Sequence, residues 1–490
     1  MKKLLFANAY FYPLDKKQWK IKQPYPPLGT IQAAALMREN GFEVSLFDNN
    51  LRQNASEIIP VLTKEKPDYL IIYDDGFNYL TKMCLTSMRE EAFSMLQQGK
   101  QQGCTTIVCS SDSTDHYQAY IDQGADFVLL GEGELILQTL IDALEKGEDT
   151  SQISGIAFRK NGESPAHKNP KRAVIQDLDM LPMAAWDLVD VAAYRDIWMA
   201  QHGYFALNIA TTRGCPYKCN WCAKPIYGNR YNSRSPERVA DEIEYLIEHH
   251  EVNYFWMCDD IFGLKPGWPQ KFRDLVKERQ LNFKYKIQSR VDLLLKEDTI
   301  TALADSGLDT VWLGAESGSQ KILDAMDKGT KVEQIYQATR LLKKQAVKVA
   351  FFIQFGYLGE QAEDIDKTCR MVLDLMPDEI GISVSYPLPG TLFYENVKND
   401  LSKKANWVDS DDLDMMFQNT YPPSYYKRLH RYLHKIYRRK RGYQTLSKLI
   451  KKPFQTTFQK LKWVMAVAYY EPSARVDAWR LKKIKQNYSS

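Results

Sequence analysis

Three cysteines lie close together near the middle of the 490-residue chain, in the stretch TTRGCPYKCNWCAK. Cys215, Cys219 and Cys222 have the spacing C-x3-C-x2-C. A structural zinc site would need a fourth ligand, usually from a second CxxC pair, and the sequence has no second pair. Three thiolates can instead hold three irons of a [4Fe-4S] cluster and leave the fourth iron open, whereas an electron-transfer cluster is closed by a fourth cysteine. The spacing therefore predicts an iron-sulfur cluster with one open coordination position.

The residues around these cysteines resemble a known family. The stretch TRGCPYKCNWC is similar to the signature of radical S-adenosylmethionine (SAM) enzymes, and Trp221 fills the aromatic position directly before the third cysteine. Over roughly residues 1–400, the chain resembles the subgroup with an N-terminal cobalamin-binding domain, the family named for anaerobic magnesium-protoporphyrin ester cyclase. The resemblance implies three cofactors: a [4Fe-4S] cluster, SAM and cobalamin.

Residues 1–150 alternate five β-rich runs with segments long enough to be helices. Because parallel strands need crossover connections of this kind, the pattern predicts an α/β domain with a doubly wound, flavodoxin-like sheet. Ligands of such sheets bind beyond the carboxyl ends of the strands. The loops that start near Asn8, Asp74, Ser110 and Gly131 are therefore the expected binding loops.

The remaining chain is predicted to form three further parts. Residues 151–200 hold prolines and mixed polarity, which are typical of a connecting segment. Residues 201–400 contain six more β-rich runs, each followed by a helical segment, which predicts a six-stranded (β/α)6 partial TIM barrel with its chemistry at the strand ends. Residues 401–490 are predicted to be a basic α-helical region.

Polar residues at the ends of the predicted barrel strands are candidates for holding SAM. By the resemblance, an acidic pair would receive the methionine amino group, an arginine would neutralise the methionine carboxylate, and a glycine would let adenine approach the backbone. Capping of a strand end, or an ion pair, is the alternative role for each polar side chain. The candidate SAM residues are Trp221, Asp259, Asp260, Gln288, Ser289, Arg290, Glu316, Ser317, Gln354 and Gly356.

The N-terminal part also contains stretches that resemble the cobalamin-binding module, namely PYPPLGTIQAAALMRENGFEVSLFD and GADFVLLGEGE. The resemblance implies that Gly131 and Gly133 let the backbone pass close to the corrin or its nucleotide tail. The alternative is a flavodoxin-like domain with an ordinary turn at this place. The candidate cobalamin residues are Asp74, Ser110, Ser111, Gly131, Glu132 and Gly133.

The lower ligand of cobalt is a separate question. The D-x-H-x-x-G loop of cobalamin mutases is absent after the first strand, since the first histidine of the chain is His116. We predict cobalt without a protein histidine below it, with His116 as the less favoured alternative because an exposed loop histidine is commoner. A weak lower ligand would suit transfer of a methyl group to a carbon radical.

Composition and charge restrict the location of the protein. The sequence shows neither a membrane span nor a secretory signal, so we expect a cytoplasmic protein. Residues 421–490 hold 18 lysine and arginine residues against two acidic residues. This basic tail predicts peripheral contact with a membrane surface, with a helix packed across the barrel mouth as an alternative of equal weight and nucleic-acid binding as a third.

Together these features predict a cobalamin-dependent radical SAM enzyme. It would cleave SAM reductively to a 5′-deoxyadenosyl radical and C-methylate an unactivated carbon of a small biosynthetic or lipid substrate via methylcobalamin, with electrons from a flavodoxin- or ferredoxin-type donor. One alternative is an oxidative cyclase or rearrangement enzyme with the same cofactors. A second alternative is a non-catalytic cobalamin or iron-sulfur sensor or electron carrier. The sequence identifies no catalytic side chain and no substrate.

Overall fold

The computed structural model describes residues 1–78, 85–160, 164–224, 226–401, 407, 413, 415–451 and 457–488. The strands of the first sheet are β1 (Lys3–Ala7), β2 (Glu43–Phe47), β3 (Tyr69–Tyr73), β4 (Thr105–Cys109), β5 (Phe127–Leu129), β6 (Ile156–Phe158) and β7 (His167–Lys168). They lie in the order β2-β1-β3-β4-β5-β6-β7, and the first five of the chain run parallel. This order confirms the predicted doubly wound, flavodoxin-like sheet.

Both faces of this sheet are covered, so its central strands are buried throughout. Leu70 of β3 packs on one face with Met95, and Ile71 packs on the other face with Leu137. Burial on both faces explains why β3 reads as a continuous apolar run. The helices of this part are Lys16–Ile21, Leu28–Glu39, Ile59–Glu65, Thr86–Gln101, Ser111–Asp115, Tyr117–Asp122 and Glu134–Lys146.

The segment 151–200 does more than connect two domains, in contrast to the expectation from its composition. Its strands β6 and β7 extend the first sheet in antiparallel fashion, and the helix Val191–His202 follows. Trp186 and Trp198 are almost fully buried, and their indole N–H groups donate to Glu242 at 3.0 Å and to the carbonyl of Pro24 at 2.7 Å. Two aromatic side chains therefore pack this segment into the core, despite the surrounding prolines and polar residues.

The second sheet has six parallel strands, which confirms the predicted partial barrel. They are β8 (Ala206–Ile209), β11 (Tyr254–Met257), β12 (Lys284–Ser289), β13 (Leu308–Glu316), β14 (Lys348–Phe355) and β15 (Glu379–Val384), and a short antiparallel pair, β9 (Thr212–Arg213) and β10 (Asn232–Ser233), follows β8. The helices of the barrel are Pro236–His250, Trp268–Glu278, Val291–Leu294, Thr299–Asp305, Gln320–Ala325, Val332–Lys344, Ala362–Leu375 and Leu392–Val397. Ser235 caps the first of them through its side chain, which accepts the backbone N–H of Arg238 at 3.2 Å.

The two faces of the barrel sheet differ in what covers them. Outward-pointing residues such as Tyr285, Val311 and Phe351 are fully buried under the helices. Inward-pointing residues such as Gln288 and Trp312 are only partly buried. The concave face of the barrel is therefore less covered than the convex face, which is packed under the helices.

The basic tail forms three helices, Pro423–Lys451, Phe458–Met465 and Val467–Tyr488. Asp477 of the last helix accepts from Arg428 and Lys435 of the first at 2.7 Å each. The Tyr437 hydroxyl donates to the Pro377 carbonyl at 2.6 Å, which attaches the first helix to the barrel. None of the helices that the structure describes is long and apolar enough to cross a membrane.

Candidate cofactor site

The three cysteines lie on one loop that a short hairpin holds at its base. Arg213 of β9 pairs with Asn232 of β10, so residues 214–231 form a closed loop after the first barrel strand. Gly214 begins this loop with a φ of +78°, and a Cβ there would lie 2.4 Å from the carbonyl oxygen of Arg230. Only glycine fits this turn, because any side chain would overlap the opposite side of the loop.

The exposure of the three thiols fits a bound cofactor. Cys215, Cys219 and Cys222 are partly exposed, whereas the other four cysteines that the structure describes are buried. Within the described ranges, no three His, Cys, Asp or Glu side chains converge as the ligands of a single metal ion would. In a [4Fe-4S] cluster each thiolate binds a different iron, so its ligands do not share one point. Three loop thiols are the ligand number of a [4Fe-4S] cluster with one open iron, and a structural zinc ion needs one ligand more.

Two thiols of the loop, those of Cys215 and Cys222, have raised pKa values. Burial raises the pKa of Cys215 and raises that of Cys222 to about 12, and the nearby Asp260 adds to both increases. Lys224 opposes this effect, and its ammonium group also donates to the carbonyl of Tyr217 within the loop. Metal binding to these thiols must therefore release protons.

Arg290 lies against the cysteine loop. Its guanidinium carbon is 3.7 Å from the ring centroid of Tyr217, and its Nη1 is 3.8 Å from the sulfur of Cys219. Asp292 accepts from Nε at 3.0 Å and fixes the orientation of the side chain. Nη2 also donates to Asp292, at 3.2 Å, so Nη1 is the guanidinium nitrogen that faces the thiol.

Glu316 also lies near the loop, but its carboxylate already forms an ion pair with a lysine. Lys328 donates to Glu316 Oε1 at 2.8 Å, and both side chains are almost fully buried. Although burial alone would lower the pKa of Lys328, Glu316 and the nearby Cys219 hold it above its ordinary value. Sequence analysis missed Lys328, because nothing in its local sequence distinguishes it from a surface lysine.

The two members of the acidic pair have different surroundings. Asp259 is buried and accepts from the backbone N–H groups of Thr211 and Thr212 at 2.6 and 2.9 Å, and from the Thr211 hydroxyl. Burial raises its pKa to about 7. Asp259 therefore links the ends of β8 and β11, which is the strand-end role given above as the alternative. Asp260 is exposed and lies close enough to Cys215 to affect its pKa.

Most of the other polar candidates are engaged in packing. The Ser289 hydroxyl donates to a loop carbonyl and the Ser317 hydroxyl forms a hydrogen bond with Thr368 of the helix Ala362–Leu375, at 3.1 Å each. Gln354 donates to a serine hydroxyl at 3.0 Å. Trp221 is partly buried against the main core. Gln288 is partly exposed on the concave face of the barrel. Among the hydrogen-bonding candidates of this group, Gln288 therefore remains the one whose side chain can contact a ligand in the barrel.

Gly356 does not provide open space for adenine, in contrast to the expectation. A Cβ at this position would lie 2.9 Å from Met415 Cε and 3.1 Å from Asn419 Nδ2, and φ is +76°. Its N–H donates to Glu360 at 2.6 Å and its carbonyl accepts from Asn419. The segment before the basic helices thus fills the approach to this strand end, which a local pattern could not reveal.

In the first domain, three cobalamin candidates come together at the carboxyl ends of β3 and β4. Asp74, Ser110 and Ser111 line a crevice between this domain and the cysteine loop. Part of its lining consists of small residues, and the side chains of Asp74, Ser110 and Ser111 supply polar groups. The other residues that line it are Gly29, Tyr73, Gly76, Cys109, Ile226 and Tyr227. The crevice lies beyond the carboxyl ends of the parallel strands, where ligands of such sheets bind, and its contact with cobalamin stays a prediction.

The glycines of the GEGE turn have internal roles. A Cβ on Gly133 would lie 2.5 Å from the sulfur of Cys109 and 2.8 Å from the ring of Tyr73, so this glycine serves close packing inside the domain instead of contact with a corrin. Gly131 has a φ of +92°, and its N–H donates to Thr114 at 3.2 Å. The backbone conformation and the close packing of the turn therefore explain both glycines.

Glu132, the remaining cobalamin candidate, joins the two domains. Arg213 donates to Glu132 at 2.5 Å and to Glu134 at 2.8 Å, and all three side chains are at most 5% exposed. The guanidinium also lies 5.4 Å from the ring centroids of Phe77 and Tyr227. Arg213 stands directly before the loop glycine, so this ion-pair cluster fixes the base of the cysteine loop on the first domain.

His116 lies at the end of a short helix beside the crevice strands. Its side chain is 43% exposed and Nε2 is 3.9 Å from Asp112. No histidine is among the residues that line the described crevice. The absence of a histidine ligand below cobalt stays a prediction.

Comparison with known proteins identifies the barrel. Residues 209–372 match the family model of the radical SAM superfamily. The match begins at the end of β8, contains the whole cysteine loop and ends in the helix Ala362–Leu375. It confirms the resemblance predicted from the cysteine spacing.

Similarity extends over both domains. The chain is 27% identical over 399 residues to an uncharacterized methyltransferase of Pyrococcus horikoshii, with coverage of 79% of this chain and 82% of the relative. It is 27% identical to the anaerobic magnesium-protoporphyrin IX monomethyl ester cyclase of Rubrivivax gelatinosus, with coverage of 76% and 66%. The solved structure of the cobalamin-dependent SAM radical enzyme OxsB with aqua-cobalamin bound matches at 17% identity with a TM-score of 0.73, over 98% of this chain and 72% of OxsB.

We expect Cys215→Ala, Cys219→Ala and Cys222→Ala each to lose most of the iron that the wild type takes up on anaerobic reconstitution. Each change removes one of three cluster ligands, and the other described cysteines are buried elsewhere. Iron and sulfide content per chain and the visible iron-thiolate absorbance measure the loss. Cys104→Ala, at a buried cysteine of the first domain, is the control and keeps full iron. Full iron content in all three loop variants would contradict the assignment.

We expect Arg213→Met to lower the free energy of unfolding by about 3–5 kcal/mol, because it leaves two carboxylates buried without their partner. Urea unfolding followed by circular dichroism measures the change. Arg38→Met is the control, since its exposed pair with Asp187 at 2.9 Å contributes less than about 1 kcal/mol. Equal losses in the two variants would show that the cluster is not what holds the domains together.

Proposed function

We propose, from the premise that residues 209–372 of this chain are a radical SAM domain, that the protein is a cobalamin-dependent radical SAM methyltransferase. It transfers the methyl group to an unactivated carbon of its substrate, which is a small biosynthetic or lipid molecule. The observation that carries the proposal is the position of the cysteine loop, which holds three partly exposed cysteines and borders the crevice of a flavodoxin-like domain. A relative that covers most of the chain is named as a methyltransferase, which supports methyl transfer.

The residues of the chain prepare the site for these cofactors. When bound, the cluster supplies the electron that cleaves SAM, and cobalamin carries the methyl group. Cys215, Cys219 and Cys222 would hold the cluster, and Asp74, Ser110 and Ser111 would contact cobalamin.

Two cations beside Cys219 give the site its electrostatic character. Arg290 reaches within 3.8 Å of that sulfur, and Lys328 is held next to it by Glu316. Buried cations stabilise the negative charge of a thiolate-ligated cluster and of a carboxylate. We therefore assign Arg290 to the SAM carboxylate and Lys328 to charge balance at the loop.

Two alternatives use the same parts. An oxidative cyclase or rearrangement enzyme is supported by the 27% identity to the porphyrin ester cyclase. A sensor or electron carrier would keep the cluster without consuming SAM. For any of the enzymatic functions, a flavodoxin- or ferredoxin-type partner would deliver the electrons.

Product analysis separates these functions. The reconstituted wild type, with SAM, cobalamin, reductant and fractionated extract, should form 5′-deoxyadenosine, S-adenosylhomocysteine and a product heavier by one methylene group. Deoxyadenosine without added mass would indicate the cyclase or rearrangement alternative. SAM that remains intact would contradict both enzymatic functions.

We also propose peripheral contact of the basic tail with an anionic membrane surface. Tyr443, Leu446 and Ile450 lie on one face of their helix at i, i+3 and i+7 and are 48%, 39% and 73% exposed. The next helix repeats this spacing with three exposed apolar residues, and none of its residues is buried. Lysines flank both apolar faces, which matches the charge of anionic lipid.

The double variant Ile450→Ser/Phe458→Ser should reduce binding to phosphatidylglycerol vesicles by ~10-fold, since each exposed side chain inserts apolar surface into the membrane. Co-sedimentation at low and high salt measures binding, and phosphatidylcholine vesicles should bind little wild-type protein. Ile59→Ser/Met180→Ser is the matched control, because both side chains are exposed in other parts of the chain. Equal binding of both vesicle types, or no effect of the tail variant, would refute this contact.

A further inference from the structure

The concave face of the barrel carries a lysine that the proposed chemistry does not use. Lys286 lies on β12, where its register partners are Trp256 of β11 and Thr310 of β13. Its neighbours along the strand, Tyr285 and Ile287, point outward and are fully buried. Lys286 therefore points into the barrel, where it is partly exposed.

Aromatic rings surround the ammonium group. Nζ lies 5.2 Å from the ring centroids of Tyr25 and of Trp256. Among the described residues it forms no ion pair, and Glu379 and Cys258 only partly offset the effect of burial, which lowers its pKa to about 8. A cation held in a half-buried site by ring faces alone has unused capacity to bind an anion.

A flat apolar surface lies on the next two strands, β13 and β14, of the same concave face. The rings of Trp312 and Phe352 stack with centroids 4.7 Å apart and an angle of 29° between their planes. Gly381 on β15 leaves space for this stack, since a Cβ there would lie 3.1 Å from the Trp312 ring. Trp312 is the register partner of Gln288, which is two residues, about 7 Å, beyond Lys286 along the strand.

From this arrangement we infer the class of substrate: a small organic anion whose carboxylate or phosphate binds Lys286 and whose flat apolar body lies on Trp312 and Phe352. The inference deepens the proposed function and rests on it for the place of reaction. Along the same strand face, Gln288 and then Arg290 lead from Lys286 to the cysteine loop, where Arg290 meets Cys219. A molecule anchored at Lys286 therefore extends toward the proposed cofactors.

Equilibrium dialysis of the full chain, reconstituted with iron, sulfide and cobalamin, tests this with 1-naphthaleneacetate, 1-naphthyl phosphate and the neutral 1-naphthaleneacetamide. The wild type should bind at least one of the two anions about tenfold more tightly than the amide, as one charge-assisted hydrogen bond predicts, and the stronger anion identifies the head group. Lys286→Met should abolish this preference and leave amide binding unchanged. Lys286→Arg should keep the preference, because it keeps the cation.

Two further variants locate the probe. Trp312→Leu should weaken all three probes, because it removes half of the aromatic surface. Lys344→Met, at an exposed position on the outer helix Val332–Lys344, is the matched control and should bind as the wild type does.

Three results would overturn the inference: no binding of any probe, equal affinity of the wild type for the anions and the amide, or an unchanged preference in Lys286→Met. The SAM assay distinguishes this failure from failure of the proposed function. Normal 5′-deoxyadenosine formation without any probe preference refutes the inference alone. A charge preference that depends on Lys286 in a protein that leaves SAM intact refutes the proposed function alone.

Discussion

The buried cation of Arg213 is the constraint on which the arrangement of the two domains depends. A charge that is excluded from water must be paired, and the partners here are two carboxylates, Glu132 and Glu134, at the end of the first sheet. The rings of Phe77 and Tyr227 complete its surroundings. Because Arg213 stands at the entry of the cysteine loop, separation of the domains would expose this cluster and release the base of the loop.

The same principle organises the region around Cys219. Arg290 and Lys328 are buried cations, and each is held by one carboxylate so that part of its charge remains directed at the thiol. A site prepared in this way favours anionic groups before any cofactor binds. On the concave face, Lys286 extends this positive character away from the loop, with aromatic rings as its only close partners among the described residues.

The C-terminal region has one face toward the barrel and another toward solvent. Met415 and Asn419 fill the approach to Gly356, and Asp477 neutralises two of the many tail cations. The first tail helix packs along the edge of the barrel, from Tyr426 beside Gly356 to Tyr437 at the Pro377 carbonyl before β15. The exposed apolar face of the same helices supports membrane contact, and the two roles use different surfaces.

Much of the fold could be predicted because its signals are local. The run YLIIY is apolar throughout because helices cover both sides of β3, and Ser235 caps its helix by a bond to a residue three positions on. The boundaries of the four predicted regions stay predictions. The segment 151–200 packs into the core more than its composition predicts. Two buried tryptophans determine this packing, and the prolines and polar residues around them do not indicate it.

For the site, the sequence by itself determined the chemistry and the tertiary structure decided the positions. Cysteine spacing specifies the thiol ligands, because the three are close along the chain and need no distant partner. Which strand-end side chains remain accessible is a different matter. Asp259 and Gly356 are occupied by groups from other segments, while Lys328 and Lys286 acquire their roles only from residues far away in sequence. Burial and pairing depend on what the fold brings next to a residue, and the residue's own neighbours along the chain do not contain that information.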